Sequence, residues 1–574
     1  MATSMEKSEA AHVEDTGSAH ARSNSPIEEK SDPGALEAGQ PFEPQNKITF
    51  GFFMTMFGLS MAFVAAEVVP LFLITLFTVI SYDLNASAYV IWVIVSQFIA
   101  IGAVAPFVGT LADLLGRRVV VLAGLVCTVI SMIVIGTAHS IAQMIAGQVM
   151  SGVGIGIQLL TTVAAATELV PTSKRGSTIG YIVCGFTPFA AASLYGQYLA
   201  AHSWRWVAVL VGIWSIIAFI VLAIWYHPPP RVNTEGLTTW QTVRRIDFVG
   251  SFLSLAGVIL FLTGLNWGGQ SYPWKSGHVI GTMVAGGLTI VVFFIWEKFG
   301  TKNPMFPMAL ARAPKPFIAV CILALTSGIN YVPLVVFWVI QVYTVYYASF
   351  TQAGIWLLPI GFCIAGGAVL SAVLMSVFKN KVPVILIIFC IIQTAGLGSM
   401  AAVDPENINT VWAPMVFGLI GVGGVLLPSQ VVFSIITPDE LLGTGVALSI
   451  VIRMIGQVVG VSMFYNIFLH HVNANALKYF AIPAIEAGFT SVEGITELAT
   501  TLTAGPLSYY AHMFPELDSP EKIHSIMIAG HETFKHCFPI LYLISIAFGG
   551  TAIISSFFLR DINKYMNDHV AVLL

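Results

Sequence analysis

Gly109-Thr110-Leu111-Ala112-Asp113-Leu114-Leu115-Gly116-Arg117-Arg118 joins two apolar stretches, residues 88 to 111 and 119 to 138. Each stretch is about as long as a helix needs to cross a bilayer core, ~20 residues at 1.5 Å apiece. Gly109 and Gly116 permit close helix approach and a tight turn, so the segment reads as the loop of a helical hairpin. Asp113 then lies at a membrane edge, where it could engage a helix N-terminus and the neighbouring Arg117 and Arg118.

The same ruler applied outward from this hairpin gives fourteen apolar segments: 48 to 80, 88 to 111, 119 to 138, 141 to 166, 176 to 200, 204 to 226, 248 to 268, 277 to 296, 316 to 345, 351 to 378, 382 to 402, 411 to 437, 443 to 469 and 537 to 559. Composition agrees. Of 574 residues 56% are apolar and only 9% charged, with a mean hydropathy of +0.84, whereas a soluble domain carries about a quarter charged residues. A water-facing surface is excluded over most of the length. The net charge is -4, but residues 1 to 47 hold 4 basic and 9 acidic residues, leaving 21 against 20 elsewhere. No basic face exists for a nucleic acid. The first 47 residues contain almost no large apolar residue and are expected to be a disordered tail. No cleavable signal peptide is expected, because the first apolar run begins at Ile48 and is too long.

Short cytoplasmic loops accumulate Lys and Arg, and with an inner amino terminus 19 of the 25 basic residues fall on the inner side. Arg205, Lys275, Lys478, Lys522 and Lys535 fall outside, and Arg453 falls within a span. One helix more or fewer would invert this bias, so an even count with both termini cytosolic is the expectation. The six cysteines lie inside predicted spans and read as packing residues. No phosphate loop, metal set or nucleophile-base pair is visible. An enzyme is therefore not expected, nor is any cofactor. Asn85-Ala86-Ser87, in a short outer loop, is the one glycosylation acceptor.

The Gly109 to Arg118 stretch resembles the GxLaDrxGrk loop of the major facilitator superfamily, between its second and third helices. Further along, Glu168-Leu-Val-Pro-Thr-Ser-Lys-Arg175-Gly176 matches the acidic-to-RG pattern that follows the fourth helix in that superfamily. Arg244-Arg245-Ile-Asp247-Phe-Val-Gly250, Asn266-Trp-Gly-Gly269 and Tyr272-Pro-Trp274 look like the two additional helices of fourteen-span drug:proton antiporters. Gln341, Ala353-Gly-Ile-Trp-Leu-Leu-Pro359 and Arg453-Met-Ile-Gly456 fall where that group has similar residues. From residue 48 to 559 the chain is most similar to fungal trichothecene efflux pumps, with siderophore-iron transporters as near relatives.

This resemblance implies an all-α membrane protein with the major facilitator fold, fourteen helices arranged 6 + 2 + 6. Its six-helix bundles would be residues 48–226 and 316–559, joined by a linker at 227–315 that holds the two extra helices, with a short cytosolic tail at 560–574. It implies alternating access around a midplane site, a small organic substrate and protons as partners, and a monomer in the plasma membrane, with the vacuolar membrane as the alternative. Export of a toxic secondary metabolite or drug by proton antiport is the first reading, and ferric-siderophore uptake by proton symport the second. The loop Gly109, Asp113, Gly116, Arg117 and Arg118 would be a conformational gate, and Glu168 with Arg175 a second one.

The chain departs from the family in three places. Where the fourth helix usually carries RxxxG, with the arginine serving proton coupling, this sequence reads Gln148-Val-Met-Ser-Gly152. Where GPxxGG is usual in the fifth helix, it reads Ala191-Ala-Ser-Leu-Tyr-Gly196, with Pro188 about one turn earlier. The first-helix aspartate would fall near Met61, and Glu67 lies six residues on.

Glu67 is the acidic residue deepest in any span. A charge at mid-membrane costs about 2.5–3.5 kcal/mol on insertion scales, so it is read either as a proton carrier or as a glutamate facing water or held by packing. Arg453 is the only basic residue in a span and serves coupling or a structural tie. Gln158, Asn330 and Gln341 are candidate pocket residues, with interhelical ties as the alternative. The outer loop 470–536 carries six of thirteen histidines; it reads as a solvated cap, with a pH-sensitive lid or metal site as alternatives.

Overall fold

The computed structural model describes residues 49–559, apart from 87–88, 170–174, 229–246, 270, most of 302–313, 379–380, 438–441 and 508–510. Among the described residues the architecture is helical. Helices α1 (Phe50–Asp83), α2 (Trp92–Leu115), α3 (Arg117–Gly136), α4 (Ile141–Glu168), α5 (Arg175–Cys184), α6 (Ala192–Ala200) and α7 (Arg205–Trp225) form the first group. The pair α8 (Phe248–Trp267) and α9 (Gly277–Phe299) follows. A second group holds α10 (Pro314–Val332), α11 (Trp338–Thr344), α12 (Phe350–Trp356), α13 (Leu358–Val377), α14 (Val382–Ser399), α15 (Trp412–Ile436), α16 (Leu442–Asn475) and, after a cap, α20 (Phe538–Phe557). The cap is built from α17 (Ala481–Ala487), α18 (Val492–Ala504) and α19 (Pro520–Phe534).

Thirteen helical stretches among the described residues are long and apolar enough to span a bilayer. The expected fifth span, 176 to 200, is not continuous. It comes as α5, a 3-10 turn at Thr187–Ala191, and α6. Pro188 is the physical reason, since it lacks the amide proton a helix interior requires and disfavours helical geometry at the residue before it. The carbonyls freed at the break find partners: Thr187 Oγ1 donates to Cys184 O at 2.7 Å and Tyr195 Oη to Pro188 O at 3.2 Å.

Gly116 alone separates α2 from α3, at φ +82° and ψ 144°. That region is essentially reserved for glycine, so the hairpin turns on one residue. Outward faces remain apolar. On α9, Ile280, Val284, Leu288, Val291 and Ile295 are 50–61% exposed at helical spacing. A continuous stripe of this kind is a lipid surface, not a water surface.

The extra pair is pinned at both ends. Asp247 accepts from Gly250 N at 2.8 Å, capping α8, and from Trp296 Nε1 of α9 at 2.9 Å. At the other end Asn466 of α16 donates to Gly268 O at 3.0 Å, and Ser462 Oγ donates to Asn266 Oδ1 at 3.1 Å. The segment 470–536 is a helical cap that touches both groups. Tyr347 Oη donates to Met527 O at 2.8 Å and Thr501 Oγ1 to Tyr82 Oη at 3.1 Å.

Candidate functional site

Helix α1 runs through the middle of the first group. Between Gly58 and Ser81 every residue is buried except Phe63, Glu67 and Pro70, which keep partial exposure. Their spacing of four and three places them on one helical face. That face opens onto interior space, and Glu67 is its one ionisable group. Arg453, from α16, and Tyr331, from α10, are likewise partly accessible deep inside the protein. All three feel one another's charge. No ion pair within 4.0 Å joins Glu67 to Arg453, and Arg453 Nε is enclosed without a hydrogen-bond partner. The arrangement is a carboxyl group and a guanidinium near enough to interact electrostatically, each partly accessible and without a direct ion pair.

Packing of the two groups is asymmetric along the long axis. Toward the cap, one continuous apolar core joins Val64 to Ile80 of α1 with Val332 to Tyr343 of α10 and α11, with Phe464 of α16, and with Leu498 of the cap. Toward the opposite end the cores are separate. One holds Met56, Leu59, Val121, Ile182 and Leu222; another holds Val320, Leu386, Phe389, Val432 and Phe433. The described conformation is therefore closed at the cap end and divided at the end that bears Gly116.

Closure rests on small residues and one polar chain. A methyl placed on Gly361 of α13 would lie 2.9 Å from the Ala190 carbonyl carbon and 3.1 Å from its Cα, so the two backbones are in direct contact there. Tyr343 Oη donates to Gln197 Oε1 at 2.5 Å, and Gln197 Nε2 donates to Thr75 O at 2.8 Å. This buried chain ties α11 to α6 and α1.

The pocket candidates separate by position. Gln158 is fully buried and donates to Thr128 Oγ1 at 2.6 Å, tying α4 to α3. Asn330 is fully buried and, with its amide oriented to suit, donates to Ser545 O at 3.2 Å and accepts from Gly549 N at 3.1 Å. Both are interhelical ties in this conformation and do not reach open space. Gln341 is 6% exposed and lines a cavity near the cap.

In the first turn of α3, Arg118 Nη2 donates to Ala223 O of α7 at 2.7 Å. Gly109 lies on α2 and Arg117 opens α3. The side chains of Asp113, Glu168 and Arg175 fall outside the described residues. Asn85 is exposed at φ 52° in the turn after α1.

Three participants escaped the sequence reading. Gln197 is a glutamine in a span and its type was a sufficient signal; Tyr343 and Tyr331 carried none, because aromatics are abundant in every span.

A sequence model of the fungal trichothecene efflux pump family matches residues 53–574. The chain belongs to that family. The trichothecene efflux pump of Fusarium sporotrichioides is 26% identical over 475 residues, covering 80% of this chain and 78% of that protein. The trichothecene efflux pump of Trichoderma arundinaceum is 26% identical over 563 residues, covering 94% and 90%. An MFS-type transporter of Talaromyces wortmannii is 24% identical over 540 residues, covering 92% and 93%. Among solved structures, an inward-facing bacterial homologue of the lysosomal transporter Spinster superposes with a TM-score of 0.57 at 15% identity, covering 89% of this chain and 97% of that one. As a family member, the chain is a multi-pass membrane protein of major facilitator fold, and its fold is that of transporters.

Proposed function

We propose that this pump exports a small organic toxin of the secondary-metabolite type across the plasma membrane, in exchange for protons. The observation that carries the reading is the accessible, unpaired set of Glu67, Arg453 and Tyr331 inside a core that is continuous at one end only. Residues 48–226 and 316–559 act as two bundles, with 227–315 as a membrane-embedded bracket, and rock about the interior space. The basic end faces the cytosol, so the described conformation is the one that loads cargo.

Glu67 carries the proton. A proton arriving from the opposite face neutralises it before the bundles return. Export needs two accessible conformers and a group whose charge changes between them; the site supplies the second. The test uses sealed vesicles with an imposed pH gradient and a labelled trichothecene. Glu67→Gln abolishes gradient-driven transport while protein abundance stays normal. Transport by this variant with unchanged pH dependence removes Glu67 from the mechanism.

A further inference from the structure

A cavity of about 210 Å³ lies beneath the cap, between the cap-side ends of α11, α14 and α20. It is lined by Gln341, Val345, Met400, Val403, Lys535 and Phe538 among others. Its walls are apolar except on two sides, one at Gln341 and the other at Lys535 and His536. On one, Gln341 is 94% buried, and its Oε1 accepts from Tyr542 Oη at 2.6 Å. That bond fixes the amide, so the Nε2 protons point away from Tyr542. They have no protein partner, and Nε2 is not among the enclosed polar atoms, so it opens onto the cavity. On the other side Lys535 is held by Glu532 at 2.5 Å and lies 4.0 Å from Glu406.

These facts select a ligand by chemistry. The unmatched amide donor is Gln341 Nε2, because Gln341 Oε1 is already taken by Tyr542, while the His536 ring can donate or accept. Gln341 Nε2 has no protein acceptor, and a ligand oxygen would satisfy it. The ammonium of Lys535 is already matched by two carboxylates, so the wall calls for no further anion, and it repels a cation. We propose that this cavity is a second binding site, distinct from the interior space at Glu67, for a compact neutral molecule that carries one or two acceptor oxygens on an apolar ring skeleton. It lies at the closed end of the transporter. If the protein exports, the site would hold cargo on the way out; that role rests on the export reading, whereas binding itself does not.

The test is equilibrium binding of radiolabelled camphor, a compact neutral ring ketone, to the full chain in lipid nanodiscs, with its parent hydrocarbon as competitor. Val403→Trp fills the cavity without touching Gln341, and Gln341→Glu keeps the acceptor for Tyr542 while removing the donor. Saturable camphor binding is expected. It should be abolished in Val403→Trp and weakened at least tenfold in Gln341→Glu, with no displacement by the hydrocarbon. Binding that is absent in the native chain, or that survives both cavity variants, overturns the site. Loss of gradient-driven trichothecene transport with camphor binding intact would instead reject the export reading alone.

Discussion

Replacing Gly361 by alanine tests whether the cap end must part during transport. In the closed conformation the added methyl would sit 2.9 Å from the Ala190 carbonyl carbon, with the carbonyl oxygen closer still. The obstacle is backbone, so no rotamer change can relieve it. Overpacking of this kind costs about 1–3 kcal/mol, and it falls only on the conformer in which α13 meets the break at Thr187–Ala191. A conformer parted at this end does not feel it. The ratio of the two should therefore shift by about 5- to 150-fold toward the open one. Spin labels at Asn85 and Asn409, both exposed at the cap end, in a chain with its six cysteines replaced, would report the change as a longer distance population in dipolar spectroscopy. Gly423→Ala is the control. Its methyl would lie 2.8 Å from the Ile364 carbonyl carbon, inside the second group, so it lowers stability in both conformers and leaves their ratio alone. An unchanged distance distribution in folded Gly361→Ala, or an equal shift in the control, would refute the reasoning.

Two further outcomes follow from the cap and the extra helices. His531 is 5% exposed and places Nδ1 2.9 Å from Val345 O and Nε2 2.9 Å from Glu406 Oε1. Since the Glu406 side chain is 68% exposed, Glu406→Gln should lower stability by less than ~1 kcal/mol, whereas His531→Ala strands a buried carbonyl and should cost about 1–3 kcal/mol; thermal unfolding in detergent ranks the two, and a reversed order contradicts the burial argument. Asp247→Ala removes the α8 cap and the Trp296 partner together, so hydrogen exchange should rise across α8 and α9, by about 1–2 kcal/mol of local opening, with α1 to α7 unaffected.

What the sequence made legible was the part governed by local rules. Span length and the placement of basic residues follow from the bilayer alone, and Gly116 follows from the conformation its turn demands. Pro188 was visible, but its consequence, two short helices in place of one span, depended on neighbours that could satisfy the broken backbone. The nearness of Glu67 to Arg453 was open in principle only, because no periodicity links residues on α1 and α16. Gln158 and Asn330 show the limit most directly. A glutamine or asparagine in a span is either a tie or a ligand contact, and which one it is depends on the helix face, fixed by tertiary packing. The cap was legible as a histidine-rich outer segment, but not as the seat of a buried histidine that bridges Val345 and Glu406.

The nature of the contact between the two groups explains how a core so continuous can part. Interdigitated side chains resist separation because each must leave a fitted hole. Here glycines smooth the meeting surfaces: the Gly361 backbone lies against that of Ala190, Gly354 against Leu194, and Gly102 against the Met454 side chain. Within the second group glycines serve the opposite end, locking α13 to α15 at Gly423 and α14 to α15 at Gly396. Smooth contacts slide or lift without repacking, so they give little orientation of their own. The Tyr343, Gln197 and Thr75 chain supplies it, since a buried chain of donors and acceptors is satisfied in one register only. Opening breaks those bonds just as water enters to replace them, which keeps the net difference between conformers small. Under the proposed function, such a small difference is what would let one proton on Glu67 decide between them.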